Sequence, residues 1–199
     1  MFLSKIHWFL LFLLPFSGVQ DGDWTFQKEE EGIKVYTRIS EGSPFKELKM
    51  ELSFENTTVA EVIEVITTFS RQKEWVYSCA ESATKEKKGE VFYNYFLYDF
   101  PWPLSDRDAY LTAEVKWDGE NATMYAKGIT DYAAEKKGVI RLDEVYNEWA
   151  FTQATPDRVD LKYYSKSNPG GSLPAWLINL AIDKGPSESM KGLRNELKK

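Results

Sequence analysis

Residues 168–197, NPGGSLPAWLINLAIDKGPSESMKGLRNEL, are the only long stretch of this chain with helical spacing, and nearly everything before them has the spacing of strands. Asn168-Pro-Gly-Gly reads as a loop, Ser172 can cap a first turn and Pro174 stands where a missing N–H is tolerated, so a helix is expected from about Leu173. At 100° per residue, Leu173, Trp176, Leu177, Leu180 and Ala181 share one side and Ile178 and Ile182 lie on another. Beyond Gly185-Pro186 the large apolar residues are Met190, Leu193 and Leu197, which continue the Ile178/Ile182 side. Pro186 lacks a backbone donor, which predicts a bend there or two helical pieces. A helix apolar on two sides has to be gripped, and sheet is all the rest of the chain offers.

The strands follow from period-two alternation between turn signals. Residues 24–39 read as a hairpin around Glu29-Glu-Glu-Gly32, and 45–54 as a third strand with one wet face. Thr58-Val-Ala-Glu61 is a capping-box pattern, followed at helical spacing by Val62, Ile63, Ile66 and Phe69. Further strands are expected over 91–98, 108–117, 122–129, 139–152 and 159–165, separated by charged, glycine-bearing turns. About eight strands, one early helix and one long final helix predict an α+β fold in which a curved sheet closes around the last helix.

The first twenty residues are compositionally separate. Lys5 and His7 precede a short apolar run, residues 8–16, and then Ser17 and Gly18, which reads as a secretory signal over 1–20 ahead of a single domain over 21–199. A spanning helix needs about 20 apolar residues, more than twice this run. Removing residues 1–20 deletes one lysine and no acid, taking the formal charge from −6 to −7. An acidic exported chain has no counterion-release drive toward nucleic acid, so nucleic-acid binding is not expected. The single cysteine, Cys79, excludes an intrachain disulfide and in its aromatic setting reads as buried packing. With the sole histidine, His7, in the signal, Ser-His and Cys-His nucleophiles and His-ligated metals drop out; no catalytic residues, metal or cofactor are expected.

What the strands enclose is either a filled core or a cavity. Aromatic residues make up 15% of the chain, with 11 tyrosines whose hydroxyls need partners, and the small Ala109 and Ala113 interleave with large neighbours. The candidate lining is Tyr95, Leu97, Leu111, Ala113, Trp149, Phe151, Leu161 and Tyr163 from the strands, with Leu177, Leu180 and Ala181 from the final helix. Arg141, two residues from Asp143, is a candidate internal charge that would orient a guest; an ordinary surface ion pair is the other reading. An empty apolar void of about 500 Å³ would cost roughly 12 kcal/mol, so a cavity here must hold ligand or water.

Residues 101–108, PWPLSDRD, resemble the Pro-x-Ser-Asp-Arg-Asp stretch of the START family, the lipid-transfer domains related to the steroidogenic acute regulatory protein. Trp75-Val-Tyr-Ser-Cys79, Trp149, residues 170–179 and residues 185–194 are similar to that family's patterns in the same order, over nearly the whole of 24–197. The resemblance implies a helix-grip fold with a hydrophobic tunnel roofed by the last helix, and non-covalent carriage of one lipid-like molecule without catalysis. Arg107 is expected to hold the start of its strand. A monomer that makes transient membrane contact is expected, and the export signal sets it apart from cytosolic members, placing it in the periplasm of a bacterium or outside the cell. Two competitors remain: a helix-grip enzyme of the cyclase or hydrolase kind acting in the same cavity, and an interaction domain with a filled core.

Overall fold

The computed structural model describes residues 23–142 and 144–199; the expected signal segment with His7, and Asp143, lie outside the described residues. The chain opens with β1 (Thr25–Glu30) and β2 (Ile33–Ile39), joined by Glu31 and Gly32 with φ of 52° and 71°. Positive φ at both positions makes the right-twisted two-residue turn that keeps a hairpin in register, and only glycine adopts it without strain. β3 (Lys46–Glu55) pairs with β2, and α1 (Val59–Thr67) follows.

The capping box read from the sequence is formed: Thr58 Oγ1 accepts from Glu61 N at 3.3 Å, and Glu61 Oε2 accepts from Thr58 N at 2.7 Å. That backbone donor holds the Glu61 carboxyl below its ordinary range. Thr58→Ala should cost about 1 kcal/mol in urea unfolding.

A 3₁₀ turn (Phe69–Glu74) leads into β4 (Cys79–Lys88), β5 (Val91–Tyr98), β6 (Asp106–Asp118), β7 (Asn121–Gly128), β8 (Val139–Arg141), β9 (Val145–Thr155) and β10 (Arg158–Ser167). The strand order is β1-β2-β3-β10-β9-β7-β6-β5-β4, antiparallel throughout, with the short β8 running parallel to β6. Sheet pairing therefore joins the first three strands to the last one, through eight residue pairs from Arg158↔Glu55 to Ser165↔Leu48.

Two differences from the sequence reading have physical causes. β4 lies where half of the residues are charged, and shifts in its pairing between Cys79 and Glu81 and between Thr84 and Glu86 break the alternation that would have revealed it. The single strand expected over 139–152 is two strands. Leu142 N donates to Asp108 O at 2.7 Å and Asn168 N to Glu144 O at 2.9 Å, turning the chain without a glycine or proline to mark the corner.

The final helix is likewise in two pieces, α2 (Ala175–Ala181) and α3 (Lys184–Glu196). The break falls at Ile182-Asp183, ahead of Pro186, which occupies the first turn of α3 where a backbone donor has no helical partner. Met190 and Leu193 of α3, 1% and 0% exposed, enter the core formed by Met50, Phe54, Val62, Ile66, Phe151 and Leu161. Arg194 fastens α3 to the sheet by donating to Glu31 O at 2.6 Å and Ser53 O at 3.2 Å.

Candidate functional site

Against this framework the sheet and the two C-terminal helices line a cavity of about 480 Å³. Its position follows from register. The β5–β6 ladder sets Phe96 opposite Ala109, Asn94 opposite Leu111 and Phe92 opposite Ala113, so even residues of β5 share a face with odd residues of β6. Small side chains at 109 and 113 leave room there. On β9 and β10 the pairs Trp149↔Tyr163 and Asn147↔Ser165 continue the wall, and Ile178, Ala181, Ile182 and Met190 complete it from the helices. Toward the other end of the same face, Phe151 and Leu161 pair with each other and are packed solid against α1.

Of the candidate residues, Leu111, Ala113, Trp149, Tyr163 and Ala181 lie on the cavity wall. Seven do not. Phe151 and Leu161 share the right face but are filled core, 2% and 1% exposed. Tyr95 and Leu97 point to the opposite side of β5. Tyr95 is nonetheless 1% exposed, because residues 129–138 cover that outer face: Tyr110 packs against it at a tilt, Tyr132 packs on Tyr110, and Lys136 Nζ donates to the Tyr95 hydroxyl at 2.6 Å. Leu177 and Leu180, 39% and 75% exposed, face solvent together with Trp176, since α2 turns its Ile178/Ile182 side inward.

Arg141 also leaves the cavity. Its Nε and Nη2 bond the two carboxylate oxygens of Asp108 at 2.7 and 3.1 Å, and the guanidinium lies over Tyr110 and donates to the carbonyl of Ala133. The pair is buried, but beneath the 129–138 segment. β8 brings it together by aligning Arg141 with Asp108 across the parallel ladder, a pairing no local pattern announces. Arg107, 1% exposed, holds the start of β6 by donating to the carbonyls of Ser105 and Pro169 and lying over the Phe100 ring.

The buried wall is electrically quiet. Burial pushes the Tyr163 hydroxyl up to about 12 and raises that of Tyr98, so both stay protonated at neutral pH; Tyr163 donates to Asn147 Oδ1 at 3.0 Å. The charged residues on the lining, Lys46, Asp99 and Lys184, are part-exposed or exposed. Cys79 is buried, and desolvation raises its thiol to about 11, which leaves it inert packing. Sequence reasoning passed over Asn94, Phe96, Tyr98, Trp75 and Gln72, all on the wall.

The sequence matches the START domain family over residues 17–199. The chain belongs to the START family. It is 30% identical over 181 residues to an uncharacterised protein of Pseudomonas aeruginosa, covering 89% of this chain and 88% of that one. It is 28% identical over 176 residues to the phosphatidylcholine transfer protein of Mus musculus, covering 86% of this chain and 82% of that protein. Among solved structures, a STAR-related lipid transfer protein from Xanthomonas axonopodis superposes with a TM-score of 0.82 at 30% identity, covering 88% of this chain and 99% of that one. The curved antiparallel sheet and C-terminal helix of this START domain are the helix-grip fold of those relatives.

Proposed function

We propose that this START domain binds one lipid or other hydrophobic small molecule non-covalently in its cavity, shields it from water and transfers it without catalysis. The observation that carries the reading is the cavity itself. The cavity, about 480 Å³, opens to solvent past Tyr77, Asp99 and Lys184, so without a guest its apolar wall is left wet. Its wall is mostly apolar, its volume lies in the range of small-molecule sites, and water gains little from such a surface, which favours an apolar guest. The mouse and Xanthomonas relatives are named lipid transfer proteins, which supports the same reading.

In this proposal α2 roofs an internal tunnel. One side of it lines the cavity while Trp176, Leu177 and Leu180 are left to solvent, and Asn179 moors it by accepting from Lys46 N at 2.8 Å and donating to Pro44 O at 3.0 Å. The exposed apolar side, with Trp102 at 92% exposure, is suited to transient contact with a bilayer surface, where aromatic and leucine side chains are buried at little cost. The domain acts as a monomer after export, residues 1–20 serving as the signal, and in a bacterium works in the periplasm.

The test is mass spectrometry of protein taken from its own host, joined to a cavity-filling variant. Lipid should be extractable from the wild type. Leu111→Trp should fold with a midpoint within a few degrees of wild type yet lose lipid. A filled interior would instead lose about 1–3 kcal/mol from overpacking and carry no lipid to begin with.

A further inference from the structure

Register fixes how far the cavity runs and what stops it. Cross-strand pairs on β7, β9 and β10 form rows, and the last row to line the cavity is Met124, Trp149 and Tyr163. In the next row Ala122, Phe151 and Leu161 are buried in packed core, so the floor lies between the two rows. One row above the floor stand Ala113 and Ala126, paired across β6 and β7, and Ala109 follows toward the start of β6. These small side chains leave the space that larger ones fill elsewhere on the sheet.

The mouth is at the opposite end. Tyr98 pairs with Arg107, beyond Ala109, and the chain then reaches Asp99, whose N donates to Ser78 O at 2.8 Å. Lys184 Nζ lies 5.8 Å from the centre of the Tyr77 ring, so Tyr77, Asp99 and Lys184, all exposed and all on the lining, rim one opening. Charges of both signs stand there in solvent, and a polar head left among them stays hydrated.

Volume sets how much of a guest is covered. A methylene takes up about as much room as a water molecule, about 30 Å³, so about 480 Å³ holds on the order of sixteen carbon groups. That is one chain of an ordinary membrane lipid. Its length fits as well: a chain spans about 15 Å, half of a bilayer's hydrocarbon core, and Ala109 to Ala113 along β6 is about 13 Å. A lipid with two such chains leaves the second in water, at about fourfold in affinity for each methylene not covered.

Resting on the carrier reading, we propose that the guest is a single-chain lipid, whose one acyl or alkyl chain of about sixteen carbons runs from the mouth past Ala109 and Ala113 to the floor at Met124 and Trp149, with its head left in the open mouth. The cavity selects by chain number and chain length, and two-chain lipids are disfavoured whatever their head.

Delipidated protein is titrated with lysophosphatidylcholines of ten to twenty carbons, with dipalmitoyl phosphatidylcholine, which has the same head and a second chain, and with cholesterol, each delivered on cyclodextrin and read by displacement of a fluorescent fatty acid and by native mass spectrometry. Affinity should rise about fourfold per methylene up to about sixteen carbons and level off there. The two-chain lipid should bind at least about tenfold more weakly than the one-chain lipid of the same chain length. Ala113→Leu adds three carbon groups just above the floor, so its affinities should level off about three carbons earlier, with the shortest chains bound as in wild type. A rise that continues through twenty carbons overturns the proposal, as does equal binding of the two-chain lipid, or cholesterol bound more tightly than every single chain. A folded Ala113→Leu that levels off where wild type does also overturns it. The wild-type series and the one-chain to two-chain ratio need no variant, so they decide even if Ala113→Leu fails to fold. If no probe binds wild type at all, the carrier reading itself has failed; lipid bound without the chain limit fails this inference alone.

Discussion

Arg141→Met should destabilise the domain by about 3–5 kcal/mol, because it strands a buried carboxylate. For a domain of this size that is a fall in melting temperature of about 6–20 °C. Asp108 is 1% exposed and holds the guanidinium through both of its oxygens, and the same guanidinium secures the 129–138 segment through the carbonyls of Ala133 and Ala134. Adding Asp108→Leu to Arg141→Met should recover much of the loss, since replacing both charges removes the desolvation penalty as well as the attraction. Lipid affinity of the folded double variant should stay close to wild type, because neither residue is on the cavity wall. A single variant that melts with wild type would show the pair to be solvated and its burial irrelevant. Loss of lipid binding by the stable double variant would show that the pair reaches the guest.

Gly192→Ala is expected to destabilise the domain by about 2 kcal/mol, for a steric reason. A Cβ on residue 192 would lie 2.4 Å from the Trp75 carbonyl oxygen and 3.1 and 3.2 Å from its carbonyl carbon and Cα. All three are backbone atoms, so no rotamer change relieves the clash, and α3 must move off the segment that carries Trp75. Overpacking costs typically about 1–3 kcal/mol, and a 2.4 Å approach to backbone belongs at the upper end, which outweighs the gain of about 1 kcal/mol that alanine brings to a helix interior. The same displacement would shift Met190 and Ser189 on the cavity wall, so lipid affinity should fall along with stability. Urea unfolding and lipid titration of one preparation read both effects. A variant as stable as wild type would mean that α3 does not pack this closely on Trp75, and Gly192→Leu would then also be tolerated.

The candidate site shows how far local pattern carries. β5 reads VFYNYFLY, apolar at nearly every position, and Asn94 interrupts its even-numbered face. Alternation therefore favours the odd face, with Tyr95 and Leu97, as the interior. In the structure both faces of that strand are covered, one by the cavity and helices and the other by residues 129–138, and the polar interruption stands on the cavity side. On β6 only one face offered small and apolar residues at 109, 111 and 113, and the reading of that face coincides with the wall. Phe151 and Leu161 share the interior face with Trp149 and Tyr163, but period two says nothing of how far along a strand the cavity ends and packed core begins. The face of α2 was misjudged for a related reason. Its apolar residues surround the helix, so a greasy side is not necessarily the covered side, and Leu177 and Leu180 are left to solvent.

Periodicity, turn residues and caps report the geometry of neighbouring residues, and for this chain they were sufficient for the curved antiparallel sheet, the capped α1, and a broken C-terminal helix gripped by strands. The absence of histidine beyond His7 likewise narrowed the chemistry before any fold was in view. Only tertiary structure decided which face of β5 looks inward, that Arg141 meets Asp108 through the parallel β8, and that the cavity stops at the row of Met124, Trp149 and Tyr163. Each of those depends on register between strands or on a distant segment folding across a face. Such contacts join residues far apart in the chain, and the spacing of side chains along one strand carries no record of them.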